Sequence, residues 1–545
     1  MGILAKHPKG LPYLFLTEMW ERFGYYLMIG IFVLYMTDFE KGGLNFDREQ
    51  AADIFGTFIA LNYLTPFLGG LLADRLLGYR RSIILGGSLM GLGYLCLAIS
   101  GMTAFYAAMS LIIIGNGFFK PNISTLLGGL YSEGKFKSLK DSGYNIFYMG
   151  INVGAFICNF FAAFLRNTYG WSEAFAAAGI GMFIGVGIFI LGNKNYAHVD
   201  IIKPTEKGDT PVIKVLYQVL LPAILIGIVG WLIPGNICGS DSTDAFLLGS
   251  VPVVTFYASL YFKASEKEKK PIGALLSIFA VVVIFWAVFK QNGTALTTWA
   301  QYYTNRDTPK SIEKITSALK LDETVTYKQD TTYLLDHQFK KIKDASGVAT
   351  KGLTYPAYFI NDNVSQLEEG QKKKLISTEL FQSINPFFVV TLTPLVIAFF
   401  SFLRSRKKEP TTPGKICLGL FVSGLSTLIM VAAVYSIGDG SIKSSSWWLI
   451  SSYGIITIGE LFLSPMGLSL VSKLSPPRIT AMMMGGWSLA TSLGNKLSGI
   501  LAKLWDTYDD KANYFWVNFI LLMIATAMLA LMLKRLNKIF KEYGA

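Results

Sequence analysis

The chain has 545 residues, 52% of them hydrophobic and only 16% charged, with a mean hydropathy of +0.43. A soluble protein of this size cannot hide so much apolar surface, so the soluble classes are excluded and a polytopic membrane protein is predicted. The formal net charge of +13 lies in short loops between apolar stretches, the pattern that sets membrane orientation, and does not signal nucleic-acid binding.

In chain order, stretches long enough to span a bilayer fall near 12–37, 50–73, 82–100, 103–127, 144–165 and 172–192. Two more follow at 213–234 and 245–263, and the rest at 272–302, 383–403, 414–436, 446–471, 479–503 and 513–534. At a helical rise of about 1.5 Å per residue these make about fourteen spans. The first is read as a retained span, because no small-residue cleavage site follows it. The simplest parse is an all-α protein with a six-helix bundle at 1–195 and a linker hairpin at 210–265. A second bundle begins with the helix at 270–302 and resumes at 380–545, after an insertion at 303–379.

Basic residues mark one set of loops: Lys6 and Lys9; Arg75, Arg80 and Arg81; Lys135, Lys137 and Lys140; Lys263 to Lys270; Arg404 to Lys408; Lys473 and Arg478; Lys534 to Lys541. The alternate loops are short or acidic, so both termini are expected in the cytoplasm and the insertion outside. The insertion is polar, with an amphipathic run at Ile312, Ile315 and Leu319, and is expected to fold as a small structural cap. The halves echo each other weakly: Leu64-Thr65-Pro66 matches Leu392-Thr393-Pro394, and Lys120-Pro121 is matched by Glu460 ahead of Pro465. Prolines at matching depths in paired halves point to kinked helices around a midplane site.

Charge inside the spans carries the functional signal. The first span holds Glu18, Glu21, Arg22, Tyr25 and Tyr26. Each charge at a bilayer centre costs about 2.5–3.5 kcal/mol, so these must face protein or a water-filled path. Glu18 and Arg22 share a helical face, and two carboxylates beside one arginine leave a surplus acid that can take up a proton. The alternative is an ion-pair knot that merely fastens helices. Lys120 and Glu460 are mid-span, while Lys290 stands nearer an end, where snorkelling competes as an explanation. Cations on one half and an acid on the other suit a zwitterion. Arg22 and Lys120 could hold its carboxylate and Glu460 its ammonium, with Tyr25, Tyr26, Tyr63, Asn152, Asn385 and Trp487 as walls and hydrogen-bonding groups. The three histidines lie outside the spans, so a proton relay must use carboxylates. No nucleophile with its base, metal motif or phosphate loop is found, and no cofactor is expected. The four cysteines lack paired spacing.

The run Glu18-Met19-Trp20-Glu21-Arg22-Phe23-Gly24-Tyr25-Tyr26 resembles the ExxERFxYY signature of the proton-dependent oligopeptide transporters, a branch of the major facilitator superfamily. Further similar segments are Gly70 to Asp74-Arg75 with Gly78 to Arg81, Phe119-Lys120-Pro121-Asn122, Phe147-Tyr148 to Asn152, and Gly459-Glu460-Leu461 with Ser464-Pro465. The resemblance implies a major facilitator fold of two six-helix bundles and import of di- and tripeptides with protons, by a monomer in the cytoplasmic membrane. It assigns proton coupling to Glu18, Glu21 and Arg22. It assigns peptide contacts to Arg22, Tyr25, Tyr26, Tyr63, Lys120, Asn152, Asn385, Glu460 and Trp487. Two positions depart from the family pattern: Lys290 stands where an acid is usual, and Ile29 where an arginine is usual. Lys290 is expected to pair with Glu18 or Glu21, or to attract an acidic substrate side chain. Two other readings stay open: a carrier for another small anionic or zwitterionic solute, and a membrane receptor built on the insertion.

Overall fold

A computed structural model describes residues 6–131, 136, 139–200, 212–360, 367–438, 442–476 and 479–543, excepting the side chains at 74–75, 140–142, 145, 212–213 and 481. The loop cations Lys135, Lys137 and Arg478 fall outside the described residues, as do the side chains of Arg75 and Lys140. The first six long helices are α1 (Leu11–Thr37), α2 (Arg48–Leu72), α3 (Tyr79–Leu97), α4 (Met102–Leu130), α5 (Lys140–Thr168) and α6 (Trp171–Leu191). The hairpin is α7 (Leu221–Leu232), entered through a wider turn at Leu216–Leu220, and α8 (Asp241–Phe262). Then come α9 (Glu266–Phe289), α10 (Ile384–Ser405), α11 (Thr412–Ser436), α12 (Ser446–Leu474), α13 (Thr480–Thr507) and α14 (Lys511–Tyr543).

The helices form because long apolar runs in lipid must satisfy their backbone groups internally. The prolines show how the exceptions are repaired. Pro66 lies inside α2 and removes the donor that would reach the Asn62 carbonyl; Asn116 Nδ2 of α4 donates to that carbonyl instead, at 2.6 Å. That exchange fixes α2 against α4. Most of α1 is buried between Leu11 and Met36, and Glu18, Glu21 and Arg22 are among its buried residues, so its charges face protein.

One apolar core runs from Leu11 to Tyr196 and a second from Ile272 to Ile539. The apolar run at 272–302 is one predicted span but not one helix. α9 stops at Phe289, a tight turn follows at Lys290–Gly293, and short helical pieces continue to Tyr303. Polar Gln291, Asn292 and Gly293 interrupt the run there.

The insertion contains strands that its composition does not announce. β1 (Asp322–Thr326) pairs antiparallel with β4 (Lys372–Ile376), and β2 (Asp330–Tyr333) with β3 (Lys351–Thr354). Its own small core holds Tyr327, Tyr358, Phe359 and Leu375, whereas Ile312, Ile315 and Leu319 are exposed. Phe339 anchors it to the helices by stacking on Tyr302 at 4.7 Å between ring centres.

The insertion also fastens the two halves together. Toward the first half, Lys41 meets Glu323 at 2.6 Å, Asn45 donates to the Tyr333 hydroxyl at 2.9 Å, and Lys343 meets Asp47 at 2.8 Å. Arg166, near the end of α5, meets Glu379 at 2.9 Å. Toward the second half, Gln338 donates to Asp509 at 2.6 Å. Directly beneath, Arg48 of α2 pairs with Asp506 of α13 at 2.9 Å.

Candidate functional site

Small residues let α1 be gripped closely. A Cβ on Gly154 of α5 would stand 2.4 Å from the Met19 carbonyl and 3.3 Å from the Arg22 Cβ. Only glycine permits this approach, which sets α5 against the charged face of α1. Gly154→Leu is therefore expected to push α5 away, costing about 1–3 kcal/mol and loosening the polar cluster. A lower thermal midpoint together with weakened substrate binding is the expected result; native stability and binding would contradict it.

Within α1, Glu21 holds Arg22 through two contacts, Nη2 to Oε1 at 2.6 Å and a shorter one from Nε to Oε2. Glu18 Oε1 reaches the same Nε at 3.3 Å. Its other oxygen, Oε2, is buried and has no hydrogen-bond partner among the described residues. All three side chains are almost fully buried. The Arg22 guanidinium carbon lies 5.2 Å from the Tyr25 ring centre and 6.0 Å from that of Tyr26, so the tyrosine faces complete the cation's surroundings.

A second group forms around Tyr63 on α2. Lys120 Nζ of α4 lies 4.0 Å from its ring centre, and Lys290 Nζ, at the end of α9, lies 5.7 Å from it. Lys290 also stands 5.8 Å from the Trp286 ring. Among the described residues neither lysine has a carboxylate within 4.0 Å. The expected pairing of Lys290 with Glu18 or Glu21 is not formed here; both acids contact Arg22 instead. Ile29 packs as an apolar residue against the first core.

The third group lies in the other half. Asn385 of α10 donates to Glu460 of α12 at 3.1 Å and to Thr457 at 2.8 Å. Glu460 and Lys290 are close enough to act on each other electrostatically. The chain thus carries a cationic pole on α4 and α9, gathered around Tyr63 of α2, and an anionic pole on α12.

One nominated residue points elsewhere: Trp487 of α13 stacks edge-on against Phe279 and fills the space over Gly467, inside the second apolar core. Asn152 donates to the Tyr148 carbonyl one turn back on its own helix at 3.0 Å. The sequence reading also passed over Asp53 and Lys496, which pair at 2.9 Å between α2 and α13. The signal was available, since a charge in an apolar span had already singled out Glu18. Lys496 stands eleven residues before the end of α13 at Thr507.

The model of the POT family matches residues 80–313 and 364–517, most of the chain. The chain belongs to the POT family. Among its relatives, the di-/tripeptide transporter of Lactococcus lactis subsp. lactis (strain IL1403) is 28% identical over 546 residues, spanning 98% of this chain and 97% of that protein. The uncharacterized transporter YclF of Bacillus subtilis (strain 168) is 29% identical over 96% of this chain and 94% of its own length. A crystal structure of a peptide transporter POT in complex with sulfate superposes with a TM-score of 0.73 at 28% identity, covering 100% of this chain and 97% of that one. As a member of the POT family the chain has the major facilitator fold, with the hairpin and the insertion as additions to its two sets of helices.

Proposed function

We propose that this POT family member is a proton-coupled symporter that imports di- and tripeptides across the cytoplasmic membrane by alternating access, with both termini cytoplasmic. It needs no cofactor, acts as a monomer and is not an enzyme. The observation that carries this reading is the buried trio in α1, in which Glu21 satisfies Arg22 while Glu18 keeps an oxygen without a donor. A proton on Glu18 Oε2 removes the charge from that unpartnered carboxylate and loosens the hold of Glu18 on Arg22. Arg22 and Lys120 then receive the peptide carboxylate, and Glu460, steadied by Asn385, the peptide ammonium. Relatives along the whole chain are named di-/tripeptide transporters. Protonation and peptide move the carrier only by binding one state better than the other.

Exchange of labelled dialanine across a proteoliposome membrane tests substrate class without requiring a gradient. Unlabelled di- and tripeptides are expected to compete, and free alanine is not. Competition by free amino acids alone would overturn the reading.

A second reading is favoured by Lys120 and Lys290 sharing the Tyr63 ring with no carboxylate within 4.0 Å among the described residues, which suits substrates carrying an extra negative charge. A POT family transporter that is 26% identical has been solved with 5-aminolevulinic acid. Peptides with an acidic side chain are therefore expected to outcompete dialanine by about tenfold, the worth of one favourable charge-assisted contact. Lys290→Gln removes that preference while dialanine exchange persists. An unchanged ranking of peptides in Lys290→Gln contradicts the assignment. Strong inhibition by small non-peptide anions, with none by peptides, favours the second reading outright.

A further inference from the structure

Lys496 is fully buried, yet it gives nothing to its own half of the molecule. Its ammonium has three N–H donors. They go to Asp53 Oδ1 at 2.9 Å and Thr57 Oγ1 at 2.6 Å on α2, and to Ser242 Oγ at 3.1 Å on α8 of the hairpin. Lys503, seven residues further along α13 and so about two turns on, lies 3.7 Å from the same carboxylate.

Asp53 is held differently. Besides Lys496, it accepts hydroxyl bonds from Ser240 and Thr243, each at 3.0 Å, and a shorter one from Ser242. All three hydroxyls stand at the start of α8. On the same faces of α2 and α13 the backbones nearly touch. A Cβ on Gly56 would lie 2.9 Å from the Gly499 Cα, and Ser492 donates to the Ala60 carbonyl at 2.6 Å. Positions 53, 56 and 60 follow one stripe of α2.

We infer that Asp53 and Lys496 form the lock that closes the insertion-facing end of the carrier, and that the outer end of the hairpin is part of that lock and travels with α2. The asymmetry of the bonding gives the direction. Parting α2 from α13 strips Lys496 of all three partners, whereas Asp53 keeps its three hairpin hydroxyls. The acid therefore stays solvated when the gate opens, and the lysine moves into the water that fills the gap. A buried ammonium without its acid is strongly disfavoured, so loss of Asp53 biases the molecule toward the open arrangement in which Lys496 is hydrated. The inference concerns the cycle of a carrier and so rests on the transport reading, but its test needs no substrate.

The test is pulsed electron spin resonance on full-length protein in lipid nanodiscs, with Cys238, the exposed cysteine, replaced by Ser. Spin labels at the exposed positions Glu49 and Thr507 report separation of the outer ends. Asp53→Asn and Lys496→Met are each expected to raise the ratio of open to closed molecules on the order of a hundredfold. The double exchange of Asp53→Lys with Lys496→Asp is expected to restore the short distance. Labels at Asp241 with Glu49 are expected to stay close in both states, while Asp241 with Thr507 lengthens on opening. This second comparison can be made in the otherwise unaltered protein should a charge variant fail to fold. Wild-type distances in both single variants would overturn the lock, and Asp241 moving with Thr507 would overturn the place of the hairpin in it. Normal gating in a protein that exchanges no peptide would overturn only the substrate reading.

Discussion

Glu21→Gln abolishes gradient-driven accumulation of peptide while leaving some exchange in the absence of a gradient. Glu21 makes both close contacts to Arg22, and it cannot be neutralised without leaving a buried guanidinium short of charge. Breaking such a pair costs about 3–5 kcal/mol, and in the Gln variant Arg22 is left with Glu18 as its carboxylate, which holds Glu18 ionised and removes the proton site. Glu18→Gln is expected to be the milder substitution in stability, because Glu18 contributes one contact at 3.3 Å. It nevertheless loses uphill transport, since its amide places fixed hydrogens where a proton must come and go. Transport assays with thermal melts separate the two effects: both variants lose accumulation, and Glu21→Gln loses more stability. Full uphill uptake by both would remove α1 as the site of coupling.

Glu323→Ala shifts the carrier toward its open form at the insertion-facing end by about 3 kcal/mol. Glu323 on β1 takes Lys41 at 2.6 Å, Arg306 at 2.8 Å and Arg166 at 3.6 Å. Both arginines are nearly buried, so removing the acid leaves Arg306 a buried cation without its carboxylate and Arg166 with Glu379 alone. Burial disfavours the charged carboxylate, but Arg166, Arg306 and Lys41 outweigh it and hold Glu323 well below the usual carboxylate range. A carboxyl group with its folded pKa depressed contributes stability that is complete above its ordinary value and is lost only as pH falls through the lowered one. Between pH 5 and 8 the clasp is therefore constant. The pH dependence of transport is expected to be unchanged in Glu323→Ala while the gate distance and the maximal rate change. A shifted pH profile with an unaltered gate would contradict this account of the insertion.

How much of this was legible beforehand follows from where the physical signal was concentrated. The charges of α1 stood out because lipid forbids them, and the same reasoning found Lys120 and Glu460. It was not carried to Lys496, which lies inside the span expected at 479–503 and in a helix that continues to Thr507. The order of the long helices could be read because apolar length is a global property of each segment. The break after Phe289 could not, since apolar residues resume at Ala295 and only Gln291, Asn292 and Gly293 mark it. The strands of the insertion are four or five residues long. Lys372-Lys373-Lys374 form most of β4, in which Leu375 is the buried anchor. The direction in which Trp487 points depends on Gly467 of another helix, which no local pattern in α13 encodes.

Uptake of labelled dialanine into proteoliposomes, with and without an inward proton gradient, tests the central claim most directly. Accumulation above equilibrium that an uncoupler collapses is the predicted result. Equilibration at the same level with and without the gradient, by folded and correctly oriented protein, would contradict proton-coupled peptide import.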